Sequence, residues 1–265
     1  MAGESTIGAI DVWQVRIPLA RPYHLSKTYG TLTHSDAALL RLTLADGTEG
    51  WGEADPGGIN FDGETIDTVM RGLREHTAGL PGRDLGQQLR DGDQQGLHGA
   101  VAAAIDVACH DALARSRGIP VCELLGGRRR DAIDVLWPTS SGSAADDLDV
   151  IAEFNPRGFD TYMLKMGDRA VDDDIARAAE VTARLPAGVR VMVDANQGWQ
   201  RDEALRFAIE TRDLPLILIE QPVAAADLDG LRAVREVAAC PLSVDESVQR
   251  RADVGAILQA GAADV

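Results

Sequence analysis

The sequence predicts an α/β protein, a small N-terminal α+β unit followed by a parallel barrel of repeating β/α units. Three observations lead there. Short apolar runs recur at Tyr162-Met163-Leu164, Val191-Met192-Val193, Leu216 to Ile219 and Leu242-Ser243-Val244, continuous enough to be strands buried on both faces. Each run ends on a charged residue, Lys165, Asp194, Glu220 and Asp245, at intervals of 29, 26 and 25 residues. One strand, one helix and two loops take roughly that length in a barrel where about 250 residues make eight units. Amphipathic Ala/Arg-rich stretches fill the intervals, at about 145–155, 172–185, 201–212, 228–238 and 250–260.

The chain in order supports this division. Residues 7–17 and 37–45 alternate apolar and polar side chains, as half-buried antiparallel strands do, and Asp46-Gly47 turns the second into a third over 48–53. This meander does not resemble the repeat after Arg130, which marks off an N-terminal unit, 1–127, from a barrel domain, 128–265. Arg21–Ser35 and Trp51–Thr65 are polar and marked by Gly, Pro and Asp. They are expected to be irregular loops, and loops of that length in a compact domain are usually functional. Helices are expected over 64–79 and 97–117. The second is dense in Ala and Ile, so it packs on two sides, with His110 a satisfied helix residue and Gly118 and Pro120 ending it. A strand over 133–137 opens the barrel and brings Trp137 and Thr139 to its mouth. Five units are complete, and Ala262 to Val265 reads as the start of a sixth strand. A parallel array with five units has unpaired edges, so a longer native chain is expected.

Composition sets outer limits. A formal charge of −16 argues against nucleic acid or an anionic membrane as partner, since both are bound by clustered Lys and Arg. The start, MAGESTIGAI, lacks the basic and apolar segments of a signal peptide, and no apolar run approaches the roughly 20 residues of a bilayer span. The three cysteines show no CxxC spacing and read as buried free thiols of a cytoplasmic protein.

The chemistry lies at the strand ends. Asp194, Glu220 and Asp245 occupy the same phase of successive units, and the C-terminal ends of barrel strands converge where active sites of this architecture lie. One such acid would ordinarily cap the helix that follows. Three in phase would repel one another unless a cation lay between them. All-oxygen ligation selects a hard ion, Mg²⁺ before Mn²⁺.

The blocks KMG, VDANQGW, IEQP and VDES resemble the metal and base motifs of the enolase superfamily, in its mandelate racemase/muconate lactonizing enzyme branch. Independently, AAAIDVACHDALARSRGIPVCELLGG, Ala102 to Gly127, resembles that branch's signature helix and loop. The resemblance implies an N-terminal capping domain on a TIM-like (β/α)7β barrel, here truncated after about five βα units, with loops 21–35 and 51–65 closing over the mouth. It implies that Asp194, Glu220 and Asp245 ligate Mg²⁺ and that Lys165 is the base. Asn196, Gln221 and Glu246 would orient these groups by hydrogen bonds. His24, Lys27, Tyr29, Asp55, Trp137, Thr139 and Met163 are the expected substrate contacts.

The implied activity is that of a lyase or isomerase that removes the proton alpha to a small-molecule carboxylate. The product is a metal-stabilised enediolate, a Lys base beside Mg²⁺ being the superfamily's known arrangement. Burial next to a dication would lower the Lys165 pKa toward the working pH. Two departures stand out. The branch commonly has Lys-x-Lys on the second strand, but Met163 occupies the first position, and the opposing lysine of the sixth strand would fall just beyond Val265. One-base chemistry is therefore expected. Dehydration of an amino-acid-derived acid such as cis-3-hydroxy-L-proline comes first, from the Ala54-Asp55-Pro56 run. Amino-acid or dipeptide epimerisation and cycloisomerisation are alternatives, as is an inactive fragment or binding subunit. The family also implies a homo-oligomer, dimer to octamer.

Overall fold

The structure, a computed structural model, describes residues 5–58, 61–92 and 99–265. Two compact units are present. One draws on the chain up to Pro18 and on His34–Ile133, the other on Leu19–Thr33 and Asp134–Val265.

Strands β1 (Ile7–His24), β2 (Thr31–Leu44) and β3 (Glu49–Ala54) form a sheet ordered β1-β2-β3 that carries the first unit, except that residues 19–24 of β1 and 31–33 of β2 belong to the second. Strands β2 and β3 are antiparallel, with Ala38 opposite Ala54 and Thr43 opposite Glu49. Alternation decides the faces: Ala38, Leu40, Leu42 and Leu44 are buried while Arg41 and Thr43 between them are not, as a sheet with one wet face requires. Helix α1 (Ile66–Thr77) starts on a reciprocal cap between Thr65 and Thr68. Helix α2 (Leu85–Gly92), unanticipated from sequence, follows. Helix α3 (Gly99–Ser116) lies directly on β3, because Gly50 and Gly52 have no side chain there; a Cβ on Gly52 would sit 2.0 Å from the Ala104 carbonyl oxygen. Gly118 (φ 63°) ends α3, with the Ile119 amide donating to the Ala114 carbonyl at 3.0 Å. His110 is satisfied within the helix by the Asp106 carbonyl at 3.0 Å. A short helix, α4 (Val121–Leu124), completes the unit. Leu97 and His98, at the expected start of α3, and residues 59–60 of the 51–65 stretch lie outside the described residues.

The expected loop over 21–35 is mostly strand. Strand β1 runs on to His24 and β2 begins at Thr31, leaving a turn closed by the Leu25 amide on the Gly30 carbonyl at 2.9 Å. The Thr-Leu-Thr-His alternation has ordinary strand propensity; its polarity signalled exposure, not an irregular backbone.

In the second unit, β4 (Trp137–Pro138), β5 (Thr161–Lys165), β6 (Arg190–Asp194), β7 (Leu216–Glu220) and β8 (Leu242–Ser243) form one parallel sheet in sequence order. Helices α5 (Ala144–Phe154), α6 (Val171–Ala183), α7 (Arg201–Glu210), α8 (Leu228–Val237) and α9 (Arg251–Ala260) alternate with them, within a residue or two of the expected spans. Tyr162, Leu164, Val191, Val193 and Ile219 face the helices and pack with Phe154, Val181, Phe207, Leu231 and Val234. The first strand is shorter than expected: Ile133 is 78% exposed and Val135 61%, and only Trp137 and Pro138 pair, with Tyr162 and Met163. Of the three free cysteines only Cys109 is fully buried.

Candidate active site

The parallel register brings the charged strand ends level. Lys165 lies opposite Asp194, Asp194 opposite Glu220, and Glu220 opposite Ser243, two residues before Asp245. Because Tyr162, Leu164, Val191 and Val193 are committed to the helix side, strand alternation sends Met163, Lys165, Met192 and Asp194 to the other face.

Lys165 and Asp194 are both buried, 9% and 1% exposed, and Nζ donates to Asp194 Oδ2 at 2.5 Å. The other Asp194 oxygen accepts from the Asn196 amide at 2.8 Å. Burial alone would lower the Lys165 pKa, but Asp194, the Tyr23 phenol and Glu220 outweigh it and hold the ammonium above its ordinary value. The lowering expected from sequence is not what the carboxylates by themselves produce. Burial first, then the Asp194 charge, pushes Glu220 up to about 7, with Lys165 opposing and Asp245 and Glu246 adding. Asp245 is raised by burial and by Asp194. Among the described residues no three His, Cys, Asp or Glu side chains converge, as they stand, to hold one ion.

The loops behind these ends are strained in a consistent way. Among the described residues Asn196 (φ 42°), Gln197 (φ 62°) and Gln221 (φ 32°) are the non-glycine residues at positive φ, a conformation that persists only where surroundings impose it. The Gln221 side chain, fully buried, accepts from the Asp245 amide at 3.0 Å and the Ser247 amide at 3.2 Å. It therefore fixes the backbone that carries Asp245. Glu246, 2% exposed, accepts at Oε1 from the Tyr29 hydroxyl at 3.0 Å and from Asn196 Nδ2 at 3.3 Å. Its Oε2 and Asn196 Oδ1 are buried oxygens that lack a hydrogen-bond partner.

The expected substrate contacts separate. Tyr29 reaches this cluster through Glu246 and also accepts from Gln197 Nε2 at 2.8 Å. Lys27, exposed, has its ammonium 3.9 Å from Glu203, while its amide donates to the Gly167 carbonyl at 3.2 Å. The His24 ring bonds Thr31 at 2.8 Å. His24 and Thr139 line a cavity of about 610 Å³, with Arg21, Asp146 and Arg169, that none of Lys165, Asp194, Glu220 and Asp245 lines. Thr139 is buried, its amide and hydroxyl both donating to the Met163 carbonyl. Trp137 is turned to the helix side, stacked on Phe154 at 3.8 Å, because it shares the face of its partner Tyr162. Met163 is buried beside Lys165 on β5. Asp55 belongs to the first unit, where Ser35 donates to it at 3.3 Å.

Tyr23 was missed by sequence reasoning. Its phenol is close enough to feel both Lys165 and Asp194, with burial the main cause of its raised pKa. Reading 21–35 as a loop hid it, since strand alternation would have separated Tyr23 from His24 and posed the question of what it faces. Asp147, Asp174 and Arg177 were missed too, although Val171, Asp174, Ala178 and Val181 lie on one helical face and place charge in the core.

A family model described as mandelate racemase/muconate lactonizing enzyme, N-terminal domain, matches residues 8–126, and one described as enolase C-terminal domain-like matches residues 148–265. Muconate cycloisomerase 1-2 of Acinetobacter lwoffii is 34% identical over 269 residues, 98% of this chain and 69% of the relative. The L-Ala-D/L-Glu epimerase of Bacillus subtilis is 29% identical over 263 residues, 97% and 71%. Among solved structures, muconate lactonizing enzyme from Pseudomonas fluorescens complexed with muconolactone superposes with a TM-score of 0.92 at 31% identity, covering 99% of this chain and 72% of that one. A dipeptide epimerase from Enterococcus faecalis, complexed with Mg and a dipeptide, gives 0.89 at 25%, covering 98% and 73%.

The matches define an enzyme of the α/β class whose relatives are isomerases. The chain belongs to the enolase superfamily, in its mandelate racemase/muconate lactonizing enzyme branch. Among the described residues no helix is long and apolar enough to cross a membrane.

Proposed function

We propose that this chain is a Mg²⁺-dependent isomerase in which Lys165 exchanges the proton alpha to a substrate carboxylate. The observation that carries the reading is the level row of Lys165, Asp194 and Glu220 on adjacent strand ends, with the Lys165 ammonium held on a buried carboxylate. The donor set fits a hard dication. Asp194, Glu220 and Asp245 feel the charge of one ammonium, and Glu220, Asp245 and Glu246 are raised by burial and by neighbouring carboxylates. All would-be ligands are oxygen. Asp194, Glu220 and Asp245 would hold the ion. Once bound, it supplies positive charge against the substrate carboxylate.

The chain's own residues do the rest. Lys165 must shed its ammonium proton before it can accept one, and Asp194 now stabilises that proton. Were Asp194 to serve a bound cation instead of Lys165, the ammonium would lose its largest support and the free amine could accept the proton. Glu246, which accepts from both Asn196 and Tyr29, keeps the 25–30 turn at the same strand ends. The Asn196 amide holds the Asp194 carboxylate, and the Gln221 side chain holds the backbone of Asp245. Residues 1–127 as a capping domain, 128–265 as the barrel domain, and a homo-oligomeric assembly belong to the same proposal.

Cycloisomerisation needs a single base, which Lys165 supplies; Lys27, exposed and beside Glu203, is the other lysine of the sequence. Epimerisation of a dipeptide is the second reading, favoured by the likeness to the Bacillus subtilis epimerase. The relatives reported above lend no support to dehydration of a hydroxyproline. The test is solvent exchange of the α-proton in D₂O, followed by NMR with Mg²⁺ over muconolactones, dipeptides and N-acyl amino acids. Mg²⁺-dependent exchange lost in Lys165→Ala supports the reading; exchange that survives that substitution sinks it.

A further inference from the structure

Beneath Lys165 lies a second set of charges that the proposed chemistry does not touch. Arg177 of α6 is 7% exposed and Asp147 of α5 is fully buried. Arg177 Nε and Nη2 donate to the two Asp147 carboxylate oxygens at 2.6 and 2.7 Å, a bidentate pair. The remaining nitrogen, Nη1, donates to the Lys165 carbonyl oxygen at 2.6 Å, and Nη2 also reaches the Ser140 carbonyl at 3.1 Å. Ser141 Oγ adds a second donor to the Lys165 carbonyl at 3.2 Å. One turn before Arg177, Asp174, 2% exposed, accepts from the Gly167 amide at 3.0 Å and from Trp199 Nε1 at 2.9 Å.

A buried ion pair is poor evidence for stability, because desolvation offsets most of its attraction and a well-packed apolar pair often serves as well. Two of the donors here, Arg177 Nη1 and Ser141 Oγ, converge on the Lys165 carbonyl, next to the Cα from which its side chain departs. A lysine has four rotatable bonds, so its amine is placed only if its Cα is fixed and one rotamer is selected. Asp194 selects the rotamer. Arg177 fixes the origin.

We propose that Arg177, oriented by Asp147, is a positioning residue that clamps the Lys165 main chain and thereby aims the amine at the row of carboxylates. The inference rests on Lys165 being the base, and its test separates the two. The sequence holds only two lysines, so reductive ¹³C-methylation gives one exposed reference signal, Lys27, and one buried signal, Lys165, beside the N-terminus. The paired substitution Asp147→Leu with Arg177→Met removes both charges without leaving either unpaired. The Lys165 signal is expected to shift and broaden while the Lys27 signal stays, and kcat for α-proton exchange is expected to fall about 100-fold, with KM changed less than threefold. A paired variant that melts as the parent does and keeps the Lys165 signal and kcat overturns the proposal. Arg177→Lys, which preserves the buried charge balance but not the fork, covers failure of the paired variant to fold. It is expected to show the same shift and a loss of kcat at unchanged melting temperature, and parental values in it would equally refute the clamp. If the parent exchanges no substrate, the base assignment of Lys165 fails, and the NMR arm still decides whether Arg177 holds that side chain.

Discussion

The Glu220 carboxyl offers the sharpest test of the acid cluster. Its pKa in the folded chain is pushed up to about 7, from an ordinary 4.5, by burial and then by Asp194. A carboxyl that holds its proton more tightly when folded contributes stability that is complete below the unfolded pKa and is lost as pH rises through the folded one. The window is therefore pH 4.5 to 7. The full difference of about 2.5 units corresponds to about 3.4 kcal/mol at 1.36 kcal/mol per unit. Glu220 is only partly buried, so solvent screening reduces this, and about 1.5 kcal/mol is a fair expectation. Urea unfolding in EDTA at pH 5 and pH 7.5 measures it: the parent should lose about that much relative to Glu220→Gln, which has no proton to release. Magnesium should reverse the trend, because ligands must be ionised and binding expels their protons. Equal pH dependence in parent and Glu220→Gln would show that Glu220 is not under the pressure of its neighbours, and the argument for a shared cation would go with it.

Other outcomes follow from single contacts. Lys165→Arg keeps a cation beside Asp194 but is too basic to accept a proton, so the fold should survive while α-proton exchange drops about 10³-fold, within the usual span for loss of a general base; NMR exchange rates decide. Tyr29→Phe removes a hydroxyl that Glu246 accepts from and Gln197 donates to, which should cost about 1 to 2 kcal/mol in urea unfolding by leaving a buried carboxylate under-satisfied. Gly52→Ala would drive a Cβ into the Ala104 carbonyl; neither backbone can yield, so a loss of about 3 kcal/mol is expected, read as a lowered melting temperature. Burial above all, then Asp106, pushes the Cys109 thiol up to about 12, so Ellman's reagent at pH 8 should leave Cys109 unmodified until the chain is unfolded.

The sequence by itself determined the alternation of strands and helices in the second unit and the level of its charged ends. Both are periodic: a buried parallel strand is a continuous apolar run and its outer helix an amphipathic one, so the five helices and the register of Lys165, Asp194 and Glu220 follow from local pattern. The 133–137 stretch was misjudged because Ile133 and Val135 are apolar yet exposed, and a one-dimensional pattern cannot say whether a partner lies alongside. Tertiary structure decided which polar groups meet. Tyr29 bonds Glu246 across 217 residues of chain and Arg177 bonds Asp147 across 30, contacts that no periodicity encodes. It also decided that Trp137 serves the core, since that depends on which face of β5 its neighbour Tyr162 occupies. Charge on a core-facing helix position was visible in Asp174 and Arg177, but its meaning was not. That meaning rests on a peptide group of another element lying within 3 Å, and only the packing of α5 and α6 against β5 brings it there.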